Sequence, residues 1–330
     1  MNKALSVRTL LGDYPVTLPL KKGEIRSPSV SFDFADVKAP STAFKRVVRN
    51  LEFDCAELAI VTFLQAKAYH KPYVLLPATI VGRNQHHTIF YNADKRRLTA
   101  RELNGTRVGV RAYTQTTGAW VRGFLAEDYG IDLSSIHWLQ AGVNQPGRDE
   151  KVALTLPPGL RYEARPQASL SAMLMSGEID AAITARAPDA FVKGDGKVVR
   201  LFPDYRAEEE RFFKKTGIFP IMHLITLRRA AFEQHPWIAM NLYKAFDEAK
   251  RRCLKRLCDF TIAGTALPWI AAIADEIVQA QGEDPFPYGI EASRPTLEAF
   301  CRYCHDQGVT AQRMAPEDLF PPEVQASARV

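Results

Sequence analysis

Leu51-Glu-Phe-Asp-Cys-Ala56 and Gly177-Glu-Ile-Asp-Ala-Ala182 are two versions of one corner, one in each half of the chain. Glu52 matches Glu178, Phe53 matches Ile179 and Asp54 matches Asp180. Each segment follows a helical pattern and leads into an apolar strand. A helix, a tight corner and a strand in each half is what two similarly built lobes contain. Six residues do not prove a duplication, so the surrounding pattern has to carry the fold.

Before the first corner, the sequence predicts a strand over Leu5–Leu11, a turn at Gly12-Asp-Tyr-Pro15 and a strand over Ser29–Phe34. An amphipathic helix over Ser41–Leu51 follows, with Ser41 or Thr42 as N-cap. After the corner come a strand (Phe53–Leu58), a helix (Ile60–Tyr69) and strands at Tyr73–Pro77 and Thr88–Tyr91. The second series reads strand Arg107–Val110, helix Gln115–Asp128, strand Ile136–Gln140, helix Ser169–Ser176, then strands Asp180–Thr184 and Val198–Phe202. Ala141–Leu160, rich in Gly, Pro and charge, reads as an exposed connection. Gly217–Thr226 is a further strand, and helices are expected over Ala231–Leu257, Ala266–Gln281 and Thr296–Gln307.

Strands alternating with helices argue for βαβ units and a largely parallel sheet. The chain is expected to leave its first lobe near residue 105 and return near 220. Lobe 1 is then 1–105 plus 220–330, and lobe 2 is 106–219. The expected fold class is α/β, two-lobed, with a ligand cleft at the hinge.

Composition limits the alternatives. Hydrophobic residues make up 46% and charged residues 24% of 330 positions, an ordinary globular balance. A secretory signal needs roughly 7–15 unbroken apolar residues after a basic start. Here Arg8 interrupts Ala4–Leu11 and Asp13 follows, so a cytoplasmic protein is expected. No stretch approaches the roughly 20 apolar residues of a membrane span. Five cysteines without a regular framework suit reduced thiols. The single CxxC at Cys301 and Cys304, with His305 beside it, reads as helix packing, as do Cys253 and Cys258. The net charge of +6 comes partly from Lys95-Arg96-Arg97, Lys250-Arg251-Arg252 and Lys255-Arg256, which read as solvated faces. No nucleic-acid motif accompanies them. A small anionic ligand fits that balance.

The order of elements resembles the type II periplasmic-binding-protein fold over essentially the whole chain. Leu10-Leu-Gly-Asp-Tyr14, Phe53-Asp-Cys-Ala-Glu57, Gly217-Ile-Phe-Pro-Ile-Met-His223 and Asp284-Pro-Phe-Pro-Tyr-Gly-Ile290 resemble signatures of the 4,5-dihydroxyphthalate decarboxylase family. Thr296-Leu-Glu-Ala-Phe-Cys-Arg-Tyr-Cys-His305 and Glu317-Asp-Leu-Phe320 match its pattern too. The resemblance implies a cytoplasmic carboxy-lyase acting on a small aromatic dicarboxylate. No cofactor or metal is expected, nor a nucleic-acid or membrane partner, and a homo-oligomer is expected.

Clefts of this fold are lined by the carboxyl ends of strands and by helix N-termini. Asp13 and Tyr14 follow the first strand and suit hydrogen bonds to a phenol. Arg83 and His86, in Arg83-Asn-Gln-His-His87, suit carboxylate binding and proton transfer. If His86 and His87 lie in a strand, they point to opposite faces and one serves the cleft. Arg111, with Thr114, Thr116 and Thr117 opening the next helix, makes a carboxylate cradle. Capping by Thr114 or Thr116 is the plainer reading of the same residues. Arg186 is a third clamp. His223 stands in an otherwise apolar strand, where histidines are usually core residues. Its place at the returning crossing and the family resemblance make it a proton-transfer candidate with Glu57. His86, His87, Glu57 and His223 show no HxH, HxxxH or HExxH spacing, so metal-dependent decarboxylation is the minor alternative. A non-catalytic cytoplasmic binding protein for an aromatic carboxylate is the other.

Overall fold

The computed structural model describes residues 4–147, 155–261, 267–282 and 284–325. The chain divides into unit 1, Met1–Gly82 with Ile221–Arg294 and Ala315–Val330, and unit 2, Arg83–Pro220 with Pro295–Met314. Unit 1 begins β1 (Leu5–Leu10), α1 (Leu18–Lys21), β2 (Val30–Phe34), α2 (Phe44–Asn50), β3 (Cys55–Ala59), α3 (Ile60–Ala68) and β4 (Tyr73–Gly82). Unit 2 follows with β5 (Ile89–Asn92), β6 (Arg107–Val110), α4 (Thr116–Tyr129), β7 (His137–Gly142), β8 (Arg161–Ser169), α5 (Leu170–Ser176), β9 (Ala181–Ile183), α6 (Asp189–Val192), β10 (Val198–Arg200) and α7 (Tyr205–Thr216). The return to unit 1 brings β11 (Ile221–Arg228), α8 (Arg229–Gln234), α9 (Trp237–Leu257) and α10 (Ile270–Gln281). Finally α11 (Arg294–Asp306) goes back to unit 2 for all but its first residue.

Each unit is built on a mixed sheet. In unit 1 the order is β2-β1-β3-β11-β4, and in unit 2 it is β10-β5-β9-β6-β7-β8. The β1–β2, β1–β3, β6–β7, β6–β9 and β7–β8 pairs are parallel. The strands adjoining a crossing between units run the other way. β11 is antiparallel to both β3 and β4, and β5 to both β9 and β10. The largely parallel sheet expected from the alternation is therefore only partly realised, because a strand that enters a sheet from the other unit is not delivered by a βαβ crossover.

The two corners are equivalent in detail. α2 ends on Leu51 and α5 on Gly177, both left-handed, with φ 53° and 81°. Glycine takes that conformation freely, whereas Leu51 adopts it under strain. The Asp54 carboxyl then accepts the Arg8 backbone N–H at 3.0 Å, and the Asp54 N–H donates to the Arg8 carbonyl. Asp180 makes the same pair of bonds with Arg107, at 2.9 Å each. Register follows: Thr9 lies beside Cys55 in β1–β3, and Val108 beside Ala181 in β6–β9. Counting onward, Gly12 corresponds to Arg111 and Glu57 to Ile183.

Several boundaries differ from expectation. Residues 83–105 belong to unit 2 because β5 is hydrogen-bonded into the second sheet, and Pro295–Met314 joins it because α11 packs on α4. Phe300 and Tyr303 lie against Trp120, and a Cβ on Gly123 would sit 2.0 Å from the Tyr303 ring. The helix expected over Ala231–Leu257 breaks at His235-Pro236, where proline removes a helical donor. Neither Ser41 nor Thr42 caps α2; both lie in a 3-10 turn before it and Ala43 is the cap. Lys250 is not solvated: its side chain is 1% exposed, on Asp284 at 2.5 Å and over the Tyr288 ring. Cys301 and Cys304 are buried on α11. Ala266 and 148–154, within the expected helix and connection, lie outside the described residues.

Candidate active site

In unit 1 the site grows from the carboxyl end of β1. Gly12 is buried and donates its N–H to Glu57 Oε2 at 3.0 Å. The turn then folds Tyr14 back over Gly12, held by Tyr14 N–H to Thr17 Oγ1 at 2.9 Å and by Thr17 Oγ1–H to the Gly12 carbonyl at 2.6 Å. The Tyr14 hydroxyl donates to Glu57 Oε1 at 2.8 Å. Burial first, then the Glu57 charge, pushes the Tyr14 phenol well above its ordinary range, so at neutral pH it remains a donor.

Glu57 is fully buried on β3, opposite Ile225 of β11. His223, two residues before Ile225, therefore lies on the same face; the β3–β11 register runs through it without a break, whereas the β11–β4 ladder is irregular around it. Its Nδ1 is 2.6 Å from Glu57 Oε1. A carboxylate oxygen accepts, so Nδ1 is the donor and Nε2 is the working nitrogen. The imidazole is 21% exposed, and the Phe44 ring crosses it at 5.5 Å and 80°. A buried carboxyl with three donors orients one partly accessible histidine, an arrangement suited to proton transfer.

The equivalent strand ends in unit 2 carry different chemistry. Arg111, half-buried, follows β6, where unit 1 has Gly12. α4 starts with Gln115 as cap, and Thr116 and Thr117 fill its first turn. Both threonine hydroxyls are buried without a hydrogen-bond partner, and so is Thr184 Oγ1, one residue past β9. Val110 pairs with Ile183, which puts Arg111 and Thr184 at neighbouring strand ends. Free hydroxyls, a helix N-terminus and a guanidinium suit a carboxylate.

The remaining site candidates differ in burial and in partners. Asp13 is exposed and ion-paired with Lys21, so it is not turned to Glu57. Arg186 is exposed beyond Thr184. Thr114 is half-buried before the cap. Arg83 donates its N–H to the Pro220 carbonyl at 2.9 Å, and burial lowers its side-chain pKa. Its Nε is buried without a partner.

His86 stands in a different setting from the one expected. It lies in a 3-10 turn, not a strand, and is 2% exposed. Its ring stacks on Phe124 at 4.1 Å, with Phe202, Phe212 and Tyr129 around it. Neither ring nitrogen has a hydrogen-bond partner. Burial pushes its pKa down to about 4, so it is neutral near pH 7 and enclosed, unsuited to meeting a substrate. His87 instead reaches Glu209, Nδ1 to Oε1 at 3.2 Å, and Glu209 also accepts the His86 backbone N–H. Among the described residues no group of three or more His, Cys, Asp and Glu is placed to hold a metal. Sequence reasoning passed over Thr184 and Phe44. Position just past a strand marked Thr184, while nothing local marked Phe44.

A buried acid orienting a histidine at a strand end suits acid–base chemistry. Comparisons with known proteins bear on the scaffold and the family. The chain superposes on the periplasmic sulfonate-binding protein SsuA of Methylobacillus flagellatus with a TM-score of 0.60 and 12% identity, covering 99% of this chain and 94% of that one. SsuA of Escherichia coli gives 0.57 and 12% over 98% and 99%. The desulfurization enzyme DSZB gives 0.52 and 15% over 97% of each. These likenesses establish a type II periplasmic-binding-protein-like fold. No protein-family model matches. Among curated proteins, the chain is 32% identical to 4,5-dihydroxyphthalate decarboxylase of Comamonas testosteroni over 96% of this chain and 97% of that one. It is 35% identical to the Pseudomonas putida protein of the same name over 62% and 79%. The chain belongs to the 4,5-dihydroxyphthalate decarboxylase family.

Proposed function

We propose that this protein decarboxylates 4,5-dihydroxyphthalate, or a closely related hydroxylated aromatic dicarboxylate, giving protocatechuate and CO2 from the former. The observation that carries the reading is the Glu57–His223 pair, 2.6 Å apart, with Gly12 and Tyr14 completing the shell of Glu57. Each ring hydroxyl of this substrate is para to one carboxylate. As that hydroxyl gives up its proton to solvent, negative charge builds on the carbon bearing the carboxylate; the oxygen takes a proton back from solvent once CO2 has left. His223 delivers a proton from Nε2 to this carbon, with Glu57 holding Nδ1 and stabilising the charged ring before transfer. The C–C bond to the carboxylate then breaks, its electrons restore aromaticity, and CO2 leaves. The phenol serves as its own electron sink, so the reaction needs no cofactor.

Within unit 2, Arg111 and the hydroxyls of Thr116, Thr117 and Thr184 have the chemistry to hold a carboxylate. A carboxylate that has to depart must not be bound more tightly in the ground state than in the transition state. Neutral hydroxyls beside one guanidinium meet that requirement better than a second arginine.

The test is direct. Purified protein is incubated with 4,5-dihydroxyphthalate, and protocatechuate and CO2 are followed with and without chelator. Turnover is expected in both. His223→Ala and Glu57→Gln should each lower kcat by about 10²–10⁴-fold while calorimetric binding survives. Unchanged substrate, or full activity in both variants, would overturn the reading.

A further inference from the structure

We propose that Phe44 makes this site select a planar aromatic acid. Phe44 is the first residue of α2, delivered by the 3-10 turn Pro40–Thr42 and a buried Ala43. Its ring is half-buried and meets the His223 imidazole nearly at right angles, centroids 5.5 Å apart. Glu57 occupies the Nδ1 edge of that imidazole. A molecule approaching Nε2 thus comes up beside a phenyl ring. A planar substrate gains offset or edge-to-face contact there, which a puckered saturated ring of the same charge cannot match. Charge recognition alone does not separate the two, because their carboxylates are alike. Phe44 is accordingly a specificity residue for the ring, distinct from the proton-transfer pair it touches.

The inference rests on the decarboxylase reading, and the test separates the two. Phe44→Leu keeps an apolar side chain and removes the π face. The expected result is a rise of about tenfold in KM for 4,5-dihydroxyphthalate, equivalent to about 1.4 kcal/mol at 25 °C. The turnover number should stay within about twofold and its pH profile should not move. Phthalate as a competitive inhibitor should weaken equally, cyclohexane-1,2-dicarboxylate should not weaken, and Phe44→Tyr should restore the wild-type pattern. Equal weakening of both inhibitors would overturn the proposal. So would a fall in kcat with a shifted pH profile and unchanged KM, because Phe44 would then only be supporting His223. If the wild type shows no turnover, the function is misassigned, yet calorimetric binding of the two inhibitors still decides the role of Phe44.

Discussion

Replacing His86 by Leu should spare catalysis and alter how stability depends on pH. In the native state His86 is sealed among Phe124, Tyr129, Phe202 and Phe212. Burial lowers its pKa from 6.5 to about 4, outweighing the pull of Glu209, Glu208 and Asp128 in the other direction. The unfolded chain therefore protonates this ring at a higher pH than the native chain does. A depressed histidine contributes stability that is present above about pH 6.5 and lost as the pH falls toward 4. With those two values the loss through His86 is about 2 kcal/mol between pH 7 and pH 5, approaching about 3 kcal/mol at lower pH. Leucine does not titrate. Urea denaturation, followed through the buried Trp120 and Trp138 of unit 2, should show the variant gaining about 2 kcal/mol on the wild type from pH 7 to pH 5. Whatever constant offset the smaller ring space imposes cancels in that difference. At pH 7, kcat/KM should stay within about threefold of wild type, since the ring does not meet the substrate. Parallel pH courses, or a folded variant with turnover lost more than about a hundredfold, would refute the argument.

Three other substitutions probe the remaining elements. Gly12→Ala places a Cβ 2.5 Å from the Tyr14 ring, so Tyr14 must leave Glu57 and kcat should fall about tenfold, with circular dichroism unchanged. Tyr14→Phe should reproduce most of that loss. Thr184→Val removes an unpartnered buried hydroxyl; thermal stability should hold or rise, while KM for the dicarboxylate rises about five- to tenfold. Lys250→Ala removes a buried stem and its bonds to the partly exposed Asp284 and the Phe286 carbonyl; unfolding free energy should drop by about 1–2 kcal/mol with kcat unchanged.

By itself the sequence determined the repeated helix–corner–strand unit and offered His86, His223 and Glu57 as candidates for proton transfer. The Glu-Phe-Asp and Glu-Ile-Asp corners could be read because backbone geometry at a helix end is local: Leu51 and Gly177 turn the chain, and Asp54 and Asp180 tie it to Arg8 and Arg107. Glu57, Tyr14 and His223 were legible as candidates for a similar reason, as polar residues set in or just after apolar strands. The edge strand β8, with Pro166 and alternating charge, and helix α7 carried no apolar pattern to read. Only the tertiary structure decided which polar side chains are enclosed and which are partnered. His86 and His223 look alike as single letters, yet packing of four aromatic rings around one strips it of charge, while strand pairing puts a carboxyl 2.6 Å from the other. Asp13 was drawn off by Lys21, and Thr184 was left free by the register of β9 beside β6. Burial and partnership depend on residues distant in the chain, so no local pattern encodes them.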